Sequence, residues 1–282
     1  MSSNQPQTLL AILAHPDDES FGPGGTLAKY AAQGVKVHIC IVTDGAAGST
    51  DPEHIVGYES LAHRRADELQ GAIKVLGATL HTLPYRDSGM EGSEHNENPD
   101  CLVQAPLEEV ACHIVRLLRE VKPQVVLTHD PTGGYFHPDH IRVNQAVELA
   151  WEKANDPAAY PEVALPPWQP QRLFWTALPR TWLRRLIWML RLFRQDPTKF
   201  GRNKDIDITR LGTPDESIHC RIDVGPYLAV KHEASRHHLS QGGGRIWGWM
   251  PKFIEQRLFG SEVYTQARPD APRARIDFFE GL

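Results

Sequence analysis

The chain has 282 residues, 41% of them hydrophobic, and a net charge of −5 from 30 basic and 35 acidic residues. That length supports a large core, and we expect one domain over 1–282, with an α/β core in 1–154 and a C-terminal extension in 155–282. The sequence has no block of five or more basic residues, which argues against a nucleic acid partner. Its widely spaced cysteines, the lack of a signal-peptide pattern and the lack of an 18-residue apolar run predict a soluble cytoplasmic protein.

Short apolar runs alternate with helical patterns through the first half of the chain. Strand-like runs occupy 8–14, 35–43, 79–83 and 124–129, and apolar residues spaced three and four apart occupy 24–34, 59–77 and 105–121. Strands that alternate with helices favour a parallel sheet covered on both faces. The sequence therefore predicts a Rossmann-like, mostly parallel α/β fold with a decorated C-terminal region.

The sequence pattern changes after residue 150. A proline-rich stretch at 155–171 is typical of a surface connection, 172–178 is a further candidate strand and 180–194 a candidate helix. One face of that helix carries arginines, and the opposite face carries aromatic and aliphatic residues. We favour a helix that lies in the core or in the interface of a homo-oligomer, with contact to a membrane surface as the alternative.

Four polar loops follow the predicted parallel strands, at 15–25, 44–57, 84–104 and 129–140. Ligands bind outside the carboxyl ends of the strands in an open parallel sheet. The loops are therefore expected to share one ligand site.

The first of these loops begins with the motif "AHPDDE", in which the strand ends at His15 and Pro16 starts a turn. Residues three apart in such a turn share a face, so His15 and Asp18 point together while Asp17 points elsewhere. Adjacent carboxylates repel one another, and a divalent cation removes that repulsion. The motif therefore predicts a metal site.

The loop at 129–140 repeats this arrangement in its last four residues, "HPDH". Two histidines and one aspartate from two strand ends suit zinc with an open position for water, and the same donors suit ferrous iron. Asp17 is then the expected general base, and a protonated His137 the expected donor to the oxyanion and the leaving amine. Asp139 is expected to orient the His137 ring, and Tyr135 to donate a further hydrogen bond.

The motifs "AHPDDE" at 14–19 and "GGYFHPDH" at 133–140 together resemble those of the LmbE-like, or PIG-L, family of zinc-dependent de-N-acetylases. The resemblance covers at least 8–150 and includes "RRADELQGAIKVLG" and "YRDSGM". It implies that a metal is held by His15, Asp18 and His140. It also implies hydrolysis of the N-acetyl group of an N-acetylglucosamine conjugate, whose aglycone is an inositol, a thiol precursor, a lipid or an oligosaccharide.

The resemblance further implies that Arg65 and Asp87 contact sugar hydroxyls, and we expect His238 near the mouth of the substrate site. The loop "TDGAAGST" lacks the glutamates of the thiol-precursor enzymes, which leaves the aglycone open. The sequence thus predicts a metal-dependent N-deacetylase that acts on a small amino sugar conjugate. A non-haem iron oxygenase and a non-catalytic sugar-binding module are the alternatives.

Overall fold

A computed structural model describes residues 6–201, 204, 206–243, 252–270 and 277–282. Within this part of the chain, seven strands form one sheet in the order β3-β2-β1-β4-β5-β7-β6. The strands are β1 (Thr8–Leu13), β2 (Lys36–Thr43), β3 (Thr79–Tyr85), β4 (Val125–Thr128), β5 (Arg172–Thr176), β6 (Cys220–Asp223) and β7 (Ser261–Arg268). The helices are α1 (Asp18–Phe21), α2 (Gly24–Ala32), α3 (Leu61–Leu76), α4 (Leu107–Val121), α5 (Gly133–Phe136), α6 (Pro138–Lys153), α7 (Arg180–Leu192), α8 (Leu228–His237) and α9 (Lys252–Phe259).

The sheet is mostly parallel, which confirms the predicted fold class. Strands β1 to β5 pair in parallel, and β7 runs antiparallel to both β5 and β6. The sequence pattern predicted neither β6 nor β7. Strand β6 has only four residues, "CRID", in which buried and exposed side chains alternate, so it lacks the continuous apolar run of the earlier strands.

Helices cover both faces of the sheet, as predicted. Alternate residues of β1 point to opposite faces. Leu9 joins a core cluster that includes residues of α2 and α3, and Leu10 joins a second cluster with α4 and α6. Local sequence sets the limits of these helices: the Ser60 side chain accepts a hydrogen bond from His63 N at the start of α3, and Gly77 ends it in the left-handed conformation.

The last described segment, 277–282, packs into the core cluster on the α2 side. Phe278 is fully buried, with ring centroids 4.3 Å from Phe174 and 5.4 Å from Tyr30. The Tyr30 hydroxyl donates to Asp277 Oδ1 at 2.6 Å. Residues far beyond the family motifs therefore complete the same core.

Helix α7 does not belong to the core, so that part of our favoured interpretation was wrong. Leu183 is its only buried residue, and Trp188 and Leu192 are 67% and 62% exposed. The helix follows β5, and beside Leu183 its residues Trp182, Leu186, Ile187 and Leu190 are only partly buried. None of the described helices is long and apolar enough to cross a membrane.

The strand order places the polar loops together. Strand β1 lies between β2 and β4. The chain therefore adds β2 and β3 on one side of β1 and later adds β4 on its other side. A crevice forms at such a reversal, outside the carboxyl ends of the strands. His15 follows β1 and His129 follows β4, at this position.

Candidate active site

Three side-chain atoms converge at the carboxyl end of β1. His15 Nδ1 lies 3.0 Å from His140 Nε2, which lies 3.4 Å from Asp18 Oδ2, and Asp18 Oδ2 lies 3.6 Å from His15 Nδ1. Tetrahedral zinc with bonds of 2.0–2.1 Å holds its ligand atoms about 3.3 Å apart. The three donors therefore fit a zinc-sized cation without rearrangement.

Two carboxylates orient the His15 ring. His15 Nε2 lies 3.2 Å from Asp139 Oδ2 and 3.4 Å from Asp87 Oδ1, so the ring proton is held on Nε2 and the Nδ1 lone pair faces His140. Asp139 Oδ2 also accepts a hydrogen bond from Ser88 N at 2.9 Å. The Asp139 carboxylate thus orients His15, whereas sequence analysis assigned it to His137.

A third histidine, His129, lies beside these donors and was not predicted from the sequence to belong to the site. Its ring stacks on that of His140 at 3.8 Å, and its Nε2 lies 3.5 Å from Asp18 Oδ2. That nitrogen accepts a hydrogen bond from Ala14 N at 3.0 Å, which occupies its lone pair. His129 therefore supports the donors and is not itself placed as a ligand. Its position at the end of β4 was the only signal for it in the sequence.

The turn after β1 separates the two adjacent aspartates. His15 N donates to Asp18 Oδ2 at 2.8 Å, which turns Asp18 toward the histidines. Asp17 has φ 136°, an unfavourable value for a residue with a side chain, and its N donates to Glu19 Oε2 at 3.0 Å. Backbone strain of this kind is characteristic of functional sites. Here it directs the second carboxylate away from the metal donors.

Asp17 faces Arg65, whose Nη2 lies 3.2 Å from Asp17 Oδ2. Arg65 is buried and donates to Gly45 O at 2.8 Å and Pro16 O at 2.7 Å, so it also joins the loops after β1 and β2. Burial raises the pKa of Asp17 to about 6, against the opposing effect of the Arg65 charge. A carboxylate in this state can both accept and release a proton near neutral pH.

His137 is a neutral ring, whereas we expected a protonated one. Its Nδ1 accepts a hydrogen bond from Asp139 N at 3.2 Å at the start of α6, so the ring proton lies on Nε2. Burial lowers the pKa of His137 to about 3. The half-buried Tyr135 ring lies 5.7 Å from the His137 ring.

A mostly polar cavity of about 200 Å³ opens beside these groups. All four predicted loops contribute to its wall, together with two residues from the C-terminal half that sequence analysis missed. Representatives of the four loops are Asp17, Ser49, Met90 and His137, and the two additional residues are Ile206 and Gln241. No local motif marks the last two, because they reach the cavity only through the tertiary fold.

Arg65 and Asp87, the predicted sugar contacts, both line this cavity. Asp87 Oδ1 accepts from Gly89 N at 2.8 Å, and Asp87 Oδ2 accepts from Ala47 N at 3.3 Å. The two residues therefore also hold the surrounding loops in place.

His238 does not reach the mouth of the cavity, so that prediction was wrong. It is fully buried, and its Nε2 lies 2.7 Å from Glu19 Oε1. Glu19 is also fully buried, in α1, and a carboxylate removed from water needs a compensating partner. His238 supplies that partner behind the site.

Comparison with known proteins identifies the family. The family model described as PIG-L, GlcNAc-PI de-N-acetylase, matches residues 10–151. A 1D-myo-inositol 2-acetamido-2-deoxy-alpha-D-glucopyranoside deacetylase of Streptomyces avermitilis is 38% identical over 97% of each chain. The protein of the same name from Thermomonospora curvata is 37% identical over 96% of this chain and 93% of its own.

The fold is shared with a solved deacetylase. N,N'-diacetylchitobiose deacetylase from Pyrococcus horikoshii superposes with a TM-score of 0.63 at 22% identity, over 92% of this chain and 83% of the other. The family match contains both histidine–aspartate motifs, and the similarity to the curated relatives extends over almost the whole chain. The chain therefore belongs to the PIG-L family of de-N-acetylases.

Proposed function

We propose that the protein is a zinc-dependent deacetylase that removes the acetyl group from an N-acetylglucosamine conjugate, with an inositol aglycone as in the names of its relatives. One observation carries this proposal. Three metal-donor atoms lie 3.0–3.6 Å apart beside a cavity that a separate carboxylate, Asp17, also lines. Hydrolysis of an amide needs this combination of a cation site and an independent base.

His15, Asp18 and His140 are the residues that would hold the metal. Bound zinc supplies a Lewis acid and lowers the pKa of a water molecule toward about 7. The Asp139 carboxylate keeps the proton of His15 on the nitrogen that faces away from this position.

Asp17 is the proposed general base. Its carboxylate takes a proton from the water as the water oxygen attacks the acetyl carbon, and Arg65 holds the carboxylate in position. The carboxyl group then gives this proton to the amide nitrogen as the C–N bond breaks. The products are acetate and a free amine.

Two neutral groups are proposed to stabilise the charge that develops on the acetyl oxygen. His137 carries its proton on Nε2, and Tyr135 carries a hydroxyl proton; both line the cavity. Donors already placed before the reaction lower the barrier because they need no reorganisation. Arg65 and Asp87 are proposed to contact the sugar hydroxyls, and Ser49 and Gln241 lie on the wall where an aglycone would extend.

The test is a panel of N-acetylglucosamine conjugates incubated with zinc-loaded protein, with acetate and primary amine measured in parallel. We expect equimolar products, fastest with the inositol conjugate. Asp17→Asn should lower kcat by about 10²–10⁴ and retain zinc, whereas Asp67→Asn, at an exposed position of α3, should leave kcat unchanged.

The alternatives make different predictions in the same experiment. An iron oxygenase would consume dioxygen when loaded with ferrous iron, and a sugar-binding module would bind a conjugate without releasing acetate. Binding without acetate release by metal-replete protein, across the whole panel, would refute the proposed deacetylase activity.

A further inference from the structure

Helix α7 presents a large apolar surface to solvent. Trp188, Met189, Leu192 and Phe193, here called the α7 face, are 67%, 44%, 62% and 70% exposed. With about 100° between successive residues, they share the side of the helix opposite the buried Leu183. Contiguous exposed apolar side chains of this size mark an interaction surface.

The same helix concentrates positive charge. Residues 180–194 contain five arginines and no acidic residue, although the whole chain has a net charge of −5. Four of them, Arg180, Arg184, Arg191 and Arg194, project as a row along one edge of the α7 face. The surface is thus apolar in its centre and cationic at its edge.

The N-terminal half of α7 lines a second cavity, of about 600 Å³, separate from the active site. Trp182 and Leu258 contribute to its mostly apolar wall, which also carries Arg185, Arg221 and Arg257. This cavity extends the same combination of apolar and cationic groups beyond the exposed face.

The two acidic residues of the second cavity already have partners. Asp215 accepts from Thr181 Oγ1 at 2.7 Å, and Glu262 from Lys231 Nζ at 2.6 Å. Glu262 is thus offset by Lys231, whereas Asp215 keeps its charge because its donor is a neutral hydroxyl. Among the described residues, the wall still carries more cations than acids, because Arg185, Arg221, Arg257 and Lys231 face only these two carboxylates. An anionic partner with apolar groups fits this surface.

We propose that the α7 face docks on lipid bilayers that contain anionic phospholipids. The helix would lie in the plane of the interface, with Trp188 and Phe193 at the acyl boundary and the arginines at the phosphates. A second copy of the chain fits less well, because a two-fold interface with antiparallel helices would bring the arginine rows of both helices together. Charge complementarity thus selects the lipid surface.

The test is co-sedimentation of the full chain with vesicles of phosphatidylcholine alone and with vesicles containing about one-third phosphatidylglycerol. We expect at least about tenfold stronger partitioning to the anionic vesicles, weakened by added salt. Trp188→Ser with Phe193→Ser should lower that partitioning by at least about tenfold, and Arg191→Gln by about fivefold.

Matched controls are Val56→Ser, at a residue that is 79% exposed outside α7, and Arg116→Gln, at an exposed position of α4; both should bind as the wild type does. Far-ultraviolet circular dichroism and urea unfolding check that each variant is folded. Equal binding to both vesicle types, or binding to neither, would overturn the proposal. The proposal would also be overturned if sedimentation equilibrium without lipid showed a dimer of the wild type that is absent in the Trp188→Ser/Phe193→Ser variant, because the α7 face would then be a surface for self-association. The assay measures binding only, so its outcome does not depend on the proposed catalytic function.

Discussion

Four histidines within a few ångströms of one another have different tasks because each ring has a different hydrogen-bond partner. His15 Nε2 donates a hydrogen bond to the carboxylate of Asp139, and His129 Nε2 accepts a hydrogen bond from Ala14 N. His137 accepts at Nδ1 from Asp139 N. Only His15 and His140 are left with lone pairs that face Asp18, which is why the proposed ligand set contains these two and not their neighbours.

The adjacent, stacked rings of His129 and His140 provide a matched test of the ligand assignment. His140→Ala removes a proposed ligand, so zinc content after dialysis should fall to well below one equivalent. His129→Gln removes a supporting ring, so it should retain one zinc with affinity reduced by about 10- to 100-fold. Inductively coupled plasma mass spectrometry measures both. Full stoichiometry at unchanged affinity in His140→Ala would exclude His140 as a ligand.

Substitutions of His137 test its proposed role as a neutral hydrogen-bond donor to the acetyl oxygen. His137→Ala should lower kcat by about 10²–10³, because one oxyanion donor is lost, with little change in zinc content. His137→Gln keeps an N–H donor and should recover part of this loss. A zinc content that falls with His137→Ala would mean that His137 is a ligand, since its ring nitrogens also lie within reach of those of His15 and His140.

At the scale of elements, the short helix α1 depends on a buried pair that links it to the end of α8. Glu19 lies in α1, and His238 follows α8; their side chains are 2.7 Å apart. Burial by itself would lower the pKa of His238, but the charges of Glu19 and Asp17 raise it above its usual value, against the smaller opposing effect of Arg65. The pair therefore favours a protonated His238 behind the motif that carries Asp17 and Asp18.

A histidine whose pKa is raised on folding contributes stability below its unfolded pKa, and this contribution is lost as the pH rises through the folded pKa. His238→Gln should therefore lower the free energy of unfolding by about 3 kcal/mol at about pH 6 and by less at about pH 9. Urea denaturation of the zinc-loaded proteins measures the difference. The control is His63→Gln, because the side chain of His63 is 61% exposed in its pair with Glu59; the change there should stay within about 0.5 kcal/mol at either pH. If His238→Gln lowered the free energy of unfolding equally at both pH values, the pairing of His238 with Glu19 would not depend on the charge of His238.

At the scale of the whole molecule, the last residues of the chain support the first strands. Phe278 contacts Phe174 of β5, Tyr30 of α2 and Tyr264 of β7, and all four rings are buried. The α/β core that carries the motifs therefore shares its packing with the C-terminal extension. The sequence led us to expect a C-terminal extension that completes the fold, but it did not indicate which residues of the core that extension would contact.

Phe278→Ala should lower the free energy of unfolding by about 3–5 kcal/mol, because it removes a fully buried ring and leaves a cavity. Leu282→Ala, three residues from Phe279 and 42% exposed, should cost less than about 1 kcal/mol. Chemical denaturation of both variants checks this contrast. Equal and small effects would show that the C-terminal segment is not part of the cooperative core.

The sequence by itself determined the order of the first five strands along the chain, the helices α2, α3 and α4 between the first four of them, and the polar loops at their carboxyl ends. It did not predict α6, which lies between β4 and β5. The predicted features follow from local periodicity and from residues three apart in a turn, which depend on near neighbours only. The convergence of those loops followed as well, because a parallel sheet brings the ends of its strands together.

Only the tertiary structure decided which atoms meet. The Asp139 carboxylate orients His15 and not His137, His238 pairs with Glu19, Gln241 and Ile206 reach the cavity, and α7 remains exposed. Each of these contacts joins residues from distant parts of the chain or depends on which helix face is left uncovered. Hydrophobic periodicity and motif spacing carry no information about such pairings, because the partners are selected by packing, by burial of charge and by the position of a ring proton.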